Sequence, residues 1–379
     1  MSTVDFDFFF ITDESPFPPV DGRKVPVANY YSELERRGHR PQLFVANKPN
    51  TPPSFVEFTL SVFKRIWPFG GFYTREFLDD CAIKRIRGAS KPLIFVSPAR
   101  ILSVVNSKAK FKNKPRVILL LNDAQWGMYF EALCYGVGIF PGGRWFDFAK
   151  GLLTPVSFLR EVTCYRHADL VVVQTPQEAA KLPWLDHKIV VAPNAISKPS
   201  ATWSGGSDKP FVAQVNFTNR RAEKLKPFLT RAWPKIRLAD PNARLELFGP
   251  GYTEPGWLNK IEGVEFVGEV PDLDAFLSEK RALLVPLEHS TGLSNTVIRG
   301  LAMGMPMVTT ETASRGAQSV ISEWPYSTAK IATSGKEFIR HVLEIDNLGA
   351  HTQSSAIGDW SQNLDRIIDS LDSEDEGKV

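Results

Sequence analysis

The sequence predicts an α/β protein of two doubly wound parallel-sheet domains facing a central cleft. Three observations carry this. Short apolar runs recur without polar alternation, as strands covered on both faces do. Segments with helical spacing separate them. A Ser-, Gly- and Lys-rich stretch, Ser197–Lys209, interrupts the alternation, which then starts again.

The first strand is "FDFFFIT", Phe6 to Thr12. A Pro- and Gly-rich loop follows, then "VANYYSELERRGH" with helical spacing, stopped at Gly38 in the position of a C′ cap. "RPQLFVA" completes a βαβ unit. Pro92–Ser97, Arg116–Asp123, Ala168–Thr175 and Lys188–Ile196 continue the strands. Beyond the stretch 197–209, "FVAQVNF" is a strand and "RRAEKLKPFLTRAW" a helix with its charges largely on one face. "ARLELFG", "VEFVGEV" and "RALLVPL" follow as strands, and "PMVTT" as a later one. The expected division is 1–196 as one domain, 197–209 as linker, 210–355 as the second domain, and 356–379 as a C-terminal helix with an acidic tail that frays.

Bulk properties narrow the function classes. A chain of 379 residues has room for two or three cores. The formal net charge of +3 gives no reason to expect a nucleic-acid partner. Three scattered cysteines, Cys81, Cys134 and Cys164, make neither a disulfide framework nor a zinc set and suit a reducing cytoplasm. The N-terminal stretch lacks a signal-peptide pattern, and no run approaches the roughly 20 apolar residues of a membrane span. The expected location is cytoplasmic, with peripheral contact at the inner face of a membrane through the basic, aromatic stretch Phe63–Phe77 as one reading and a partly buried helix and turn as the other. Walker A, HExxH, GxSxG and kinase patterns are absent. "FGPGYTEPG" has the glycines of a dinucleotide fingerprint misplaced and interrupted by prolines, so it reads as a βα turn.

Chemistry concentrates in "HSTGLSNTVIRGLAMGMPMVTTETASRG", His289 to Gly316. Small and hydroxyl residues lead into an apolar helix. Its N-terminus can hold a diphosphate through unpaired backbone amides and the helix dipole. Gly292 lets the backbone come close, and Thr291, Leu293, Ser294 and Asn295 stand where capping or phosphate contact occurs. An ordinary capped helix is the plain alternative.

"TGLSNTVIRGLAMGMPMVTT" resembles the donor-binding segment of family 4 glycosyltransferases, which have the GT-B fold. "ESPFPPVDGRK" with "ELERRGH", "YRHADLVVVQTPQEAAKL" with "KIVVAPNAI", and "LELFGPG", "VEFVGEVPDLDAFL" and "ALLVPL" are similar to that family in the same order. "LLNDAQW" and "REVTCYRHADLVVVQT" resemble more narrowly its exopolysaccharide sugar transferases. The resemblance implies a metal-independent hexosyltransferase of polysaccharide biosynthesis. It would take a nucleoside-diphosphate sugar in the C-terminal domain, need no other cofactor, and act on a saccharide or lipid-linked acceptor held by the N-terminal domain.

In that family an arginine and a lysine after the first strand of the donor domain grip the diphosphate, and Arg220, Arg221 and Lys224 stand in that region here. The family's Gly-Arg at the strand end is replaced by Ala213-Gln214. Gly22 would let the first loop approach the same phosphates. Asp123, ending an apolar strand, is the candidate base or acceptor-orienting residue, with an Asx-turn role as the alternative. As a base it points to inversion, whereas the family retains configuration. His39 and His167 read as structural.

Two family glutamates are missing. By spacing they fall at Thr291 and Arg299. A carboxylate accepts hydrogen bonds from ribose hydroxyls, and a guanidinium only donates them. Glu288 or Glu311 is the nearby carboxylate that remains. Arg299 either binds the diphosphate directly, or pairs with an acid as a structural group, or marks a protein that has lost donor binding. The competing functions are a transferase acting on modified DNA bases or a small metabolite, and a non-catalytic binding module, for which the missing glutamates are the discriminating feature.

Overall fold

A computed structural model describes residues 6–17, 24–45, 78–98, 100–122, 124, 126–127, 130, 154–215, 225–249, 256–288, 293–321, 324–348 and 357–376. They form two compact units. The first is drawn from Met1–Tyr129, Leu152–Asn194 and Trp360–Val379, and the second from Phe130–Gly151 and Ala195–Asp359.

The first unit alternates β1 (Asp7–Thr12), α1 (Lys24–Arg36), β2 (Gln42–Val45), α2 (Asp80–Gly88), β3 (Pro92–Val96), α3 (Ile101–Ser107), β4 (Arg116–Leu121), α4 (Thr154–Tyr165), β5 (Leu170–Val173), α5 (Pro176–Ala180) and β6 (Ile189–Val191). Its six strands are parallel in the order β2-β1-β3-β4-β5-β6. Residues of alternate parity serve opposite faces. Phe9, Ile11, Ile94, Val96, Leu119 and Val171 share one core, while Phe8, Phe10, Leu93, Phe95, Ile118 and Val172 share another. Both faces are buried, which is why the strands read as unbroken apolar runs. Gly38 closes α1 as expected. Its φ of 87° is open to glycine, and His39 N–H then reaches back to Leu34 O at 3.0 Å.

The second unit runs β7 (Phe211–Gln214), α6 (Trp233–Ala239), β8 (Leu245–Phe248), β9 (Val264–Gly268), α7 (Leu273–Ser278), β10 (Leu283–Val285), α8 (Asn295–Ala302), β11 (Met307–Thr310), α9 (Glu311–Gln318), β12 (Ala329–Ala332) and α10 (Gly335–Leu343). Its parallel strands are ordered β12-β11-β10-β7-β8-β9. Phe211, Ala213, Leu245, Leu247 and Leu284 face one core, and Val212, Phe248, Leu283, Val285 and Met307 the other.

Three local readings gain detail from the structure. The described part of "RRAEKLKPFLTRAW" is helical, as expected: a π-helical turn, Phe228–Ala232, leads into α6, which continues to Ala239. Phe228, Leu229, Trp233 and Ile236 are all buried, so the apolar face rather than the charged start anchors it. The stretch Ser197–Lys209 is fastened to the second unit. Ser200 N–H donates to Asp274 Oδ2 at 2.8 Å, Trp203 Nε1 to Lys280 O at 2.7 Å, and Ser204 N–H to Ser278 O at 2.8 Å. The acidic tail is helical through Glu376, as α11 (Trp360–Glu376). Leu364, Ile367 and Leu371 enter the core of the first unit, and Arg116 Nη1 donates to Leu371 O at 2.6 Å.

Candidate functional site

In each sheet the strand order reverses once. In the first unit the reversal lies between β1 and β3, and in the second between β7 and β10. Chains leaving the carboxyl ends of two such strands diverge to opposite faces and open a crevice, the usual ligand position in open α/β sheets.

At the second unit's reversal, β7 ends on Gln214, the one exposed residue of that strand. The chain beyond β10 enters α8. Ser294 is its N-cap, with a long contact of 3.5 Å from Val297 N–H to Ser294 Oγ. Leu293 is buried, while Asn295 and Thr296 are half-buried in the first turn. The Thr296 hydroxyl donates to Gln214 Oε1, joining strand and helix across the reversal. The helix lies flush on β10 because Gly300 faces it: a Cβ there would fall 2.8 Å from Leu283 Cδ2. The first-turn N–H groups of a helix have no acceptor within it, so this edge of the unit favours an anion.

Arg299 turns toward α7. Its Nε lies 3.0 Å from Asp274 Oδ1, as a charge contact rather than an aligned hydrogen bond. Asp274 is buried, and its other oxygen takes both Ser200 N–H and Ser200 Oγ–H, at 2.8 and 3.2 Å. Glu311 is exposed at the first residue of α9, directly after β11. Thr291, Gly292, Arg220, Arg221 and Lys224 lie outside the described residues.

In the first unit, Gly22 and Asp123 also lie outside the described residues, as does Phe63–Phe77. The surroundings of Asp123 are nevertheless well held. Gln174 Nε2 donates to Asn122 Oδ1 at 2.7 Å. Buried Glu178 takes Ala124 N–H at 2.8 Å, and buried Glu161 takes Trp126 N–H at 3.1 Å. At the β1–β3 reversal, Arg100 Nε donates to Asp13 Oδ1 at 2.6 Å and Ser97 Oγ to Asp13 Oδ2 at 3.4 Å. His39 is stacked edge-on against Phe8, with ring centroids 4.8 Å apart. Burial, then Arg166, Lys108 and Lys188, push the His167 imidazole below its ordinary pKa.

Sequence reasoning passed over Asp13, Arg100 and Thr296, and marked Gln214 only as a departure from the family pattern. The available signal was position: Asp13 and Gln214 sit at or just past the carboxyl end of the first strand of each half. Among the described residues, no three His, Cys, Asp or Glu side chains gather as a metal set, and no helix is long and apolar enough to cross a membrane.

Two parallel six-stranded sheets with flanking helices make this a protein of the GT-B fold. Residues 212–345, within the second unit, match the family described as Glycosyl transferases group 1. No curated protein matches the chain by sequence. Among solved structures, the chain is similar to Anabaena Alr3699/HepE in complex with UDP, at 10% identity over 98% of this chain and 99% of that one, with a TM-score of 0.53. It is similar to a putative UDP-N-acetylglucosamine 2-epimerase from Listeria monocytogenes, at 13% identity over 98% and 97%, with a TM-score of 0.53. It is also similar to an S. aureus TarM variant in complex with fondaparinux, alpha-GlcNAc-glycerol and UDP, at 11% identity over 74% of this chain and 55% of that one, with a TM-score of 0.52. The chain thus spans about half the length of TarM. At these identities the likeness is one of fold.

Proposed function

We propose that this protein is a glycosyltransferase that takes a nucleoside-diphosphate sugar at the β7–β10 reversal of its second unit. The acceptor, a saccharide or lipid-linked saccharide, belongs to the first unit in this reading. The observation that supports it is the convergence of Gln214, Leu293, Ser294 and Asn295 on one strand-order reversal inside the stretch 212–345 that matches Glycosyl transferases group 1.

The chemistry follows from charge. As the sugar–diphosphate bond breaks, negative charge gathers on the diphosphate and the sugar becomes oxocarbenium-like. The amides and dipole at the start of α8 face that charge, and donors already fixed in place need no reorganisation during reaction. Thr291 and Gly292 extend the same cradle. Arg220, Arg221 and Lys224 supply the cationic part without a metal, and Gly22 admits the first loop. Arg299 serves the helix through Asp274 and leaves the ribose hydroxyls to another group. Asp123 orients or deprotonates the acceptor hydroxyl.

The test is a panel of UDP-, GDP-, ADP- and TDP-sugars with release of nucleoside diphosphate as readout, beside thermal shifts with the free nucleotides. One nucleotide should stabilise clearly, by about 2.7 kcal/mol at 100 times its Kd. If none shifts the melting curve, the donor site is wrong. Binding without turnover on any acceptor would leave a non-catalytic module. Undiminished transfer by Asp123→Asn would remove the base.

A further inference from the structure

We propose that the outward face of α4 docks on an anionic lipid bilayer, with Phe158, Leu159 and Val162 entering the headgroup layer and the cations at the helix end meeting lipid phosphates. This surface is independent of the donor site proposed above.

The polarity of α4 is inverted. A helix packed on a sheet ordinarily turns its apolar stripe to the core and its polar face to water. In α4 the buried residues include Thr154, Ser157 and Glu161. Pro155, Phe158 and Leu159 are exposed, and Val162 and Thr163 are half-buried. Positions 155, 158, 159, 162, 163 and 166 fall on one face at helical spacing. The inward polar side has a task in the fold, since Glu161 takes Trp126 N–H at 3.1 Å. The outward side carries apolar side chains into water: Phe158 and Leu159 are 37% and 41% exposed. Single exposed apolar residues are ordinary, whereas a run of them along one helix face is what a partner surface presents.

That face runs into a cluster of cations. Arg166, one residue beyond α4, is exposed. The turn Pro183–Lys188 lies beside the helix. At one end Trp184 packs edge-on against Phe158, with ring centroids 5.0 Å apart. At the other, Lys188 Nζ donates to Arg166 O at 3.3 Å and Ala168 O at 3.0 Å. Lys108 Nζ donates to His167 O at 3.3 Å, and Lys110, Lys112 and Lys114 follow it, all exposed. These six cations stand with two aspartates, Asp169 and Asp186, an excess of four charges on a chain whose formal net charge is +3. Asp169 is also engaged by Val117 N–H at 2.8 Å. Burial, then Arg166, Lys108 and Lys188, lower the His167 pKa, so positive charge outweighs negative at that imidazole.

The pairing of features selects the partner. Aromatic and aliphatic side chains beside clustered Lys and Arg suit a helix that lies on a membrane surface, where anionic headgroups attract the cations. A second copy seated across a two-fold axis would bring the same cations face to face. A nucleic acid would use the cations and leave Leu159 and Val162 in water.

The experiment is co-sedimentation of the full chain with vesicles of phosphatidylcholine alone and of equimolar phosphatidylcholine and phosphatidylglycerol. Two variants accompany the wild type: Leu159→Gln, and the combined Lys112→Gln, Lys114→Gln and Arg166→Gln. Melting curves and analytical ultracentrifugation without lipid are run beside them. The wild type should bind the mixed vesicles, be released by added salt, and leave phosphatidylcholine alone unbound. Each lost cation should weaken binding about fivefold, so the combined variant should lose about a hundredfold. Leu159→Gln should weaken it about tenfold through lost insertion. Melting temperatures should stay within a degree or so of the wild type, as for surface substitutions. If the wild type ignores the mixed vesicles, the proposal is overturned. If it binds and both variants bind equally well, another surface holds the lipid and the proposal fails. If the wild type is a dimer that Leu159→Gln dissociates, and vesicle binding is absent, the face joins copies of this chain and the proposal is likewise overturned. Nucleotide affinity of the variants should match the wild type throughout, so the donor site stands or falls separately.

Discussion

Arg299 and Asp274 face each other across 3.0 Å, from Nε to Oδ1, joining α8 to α7. The carboxylate is shared: its second oxygen holds Ser200, so the helix that starts at the candidate donor site and the stretch that carries the chain into this unit meet on one buried aspartate. Removing the negative charge should unfasten both. Asp274→Asn is expected to destabilise by about 1–3 kcal/mol, as for a buried group losing a charged partner, and to raise amide exchange at Ser200–Gly205. In a double-mutant cycle with Arg299→Met, a coupling of about 0.5 kcal/mol or more is expected. Additive losses would show that the two side chains are merely adjacent.

Asn295→Asp should act in opposite directions on stability and binding. A carboxylate in the first turn of α8 favours the helix dipole by about 0.3–1 kcal/mol, so the ligand-free melting temperature should rise slightly. The same charge repels a diphosphate, so nucleotide affinity should fall. Unchanged affinity would place the diphosphate away from this turn.

Acid sensitivity of the first unit should centre on Glu33. Hydrogen bonding from Arg36 holds its carboxyl down to about 2, against burial and with help from Arg37 and Ser361. Unfolded, it would titrate near its ordinary value of 4.5. The stabilisation is complete above that value and is lost as pH falls from there toward about 2. Because Arg36 is largely exposed, the effect is about 1–3 kcal/mol. Urea midpoints at pH 6, 4 and 3 should decline more steeply in the wild type than in Glu33→Gln. Equal slopes would assign acid loss to other carboxylates.

Tyr30 should tolerate loss of its hydroxyl. The side chain is buried and packs edge-on against Trp360 at 5.1 Å, and its hydroxyl has no partner among the described residues. Tyr30→Phe keeps the ring contact and removes a desolvated polar group, so stability should hold or rise by about 1 kcal/mol. A clear loss in a denaturant melt would reveal a bonded hydroxyl.

What the sequence made readable follows from locality. Strands buried on both faces announce themselves as apolar runs, and Gly38 marks a helix end because one backbone angle demands it. The start of α8 was readable for the same reason: Ser294, Asn295 and the apolar run after them are neighbours in the chain. The composition of Ser197–Lys209 reports only solubility, while Ser200 and Trp203 are tied down by partners 74 and 77 residues away that composition does not reveal. Gln214 was noticed only as a departure from a family pattern, since its side-chain partner, Thr296, lies 82 residues on. Strand order, which creates both reversals, leaves no trace in periodicity at all.

The return of α11 to the first unit sets a schedule for the growing chain. All six strands of the second unit, from Phe211 to Ala332, have been synthesised before Leu364, Ile367 and Leu371 appear. Domains ordinarily mature from the N-terminus during translation. Here the N-terminal unit must wait for the last helix, with Phe10, Tyr30, Leu34 and Phe95 lacking part of their cover until then. The nascent protein therefore passes through a stage in which its later half can be finished and its earlier half is still sticky. A stop codon before Trp360 would therefore do its damage at the opposite end of the chain, by leaving the first unit's core uncovered.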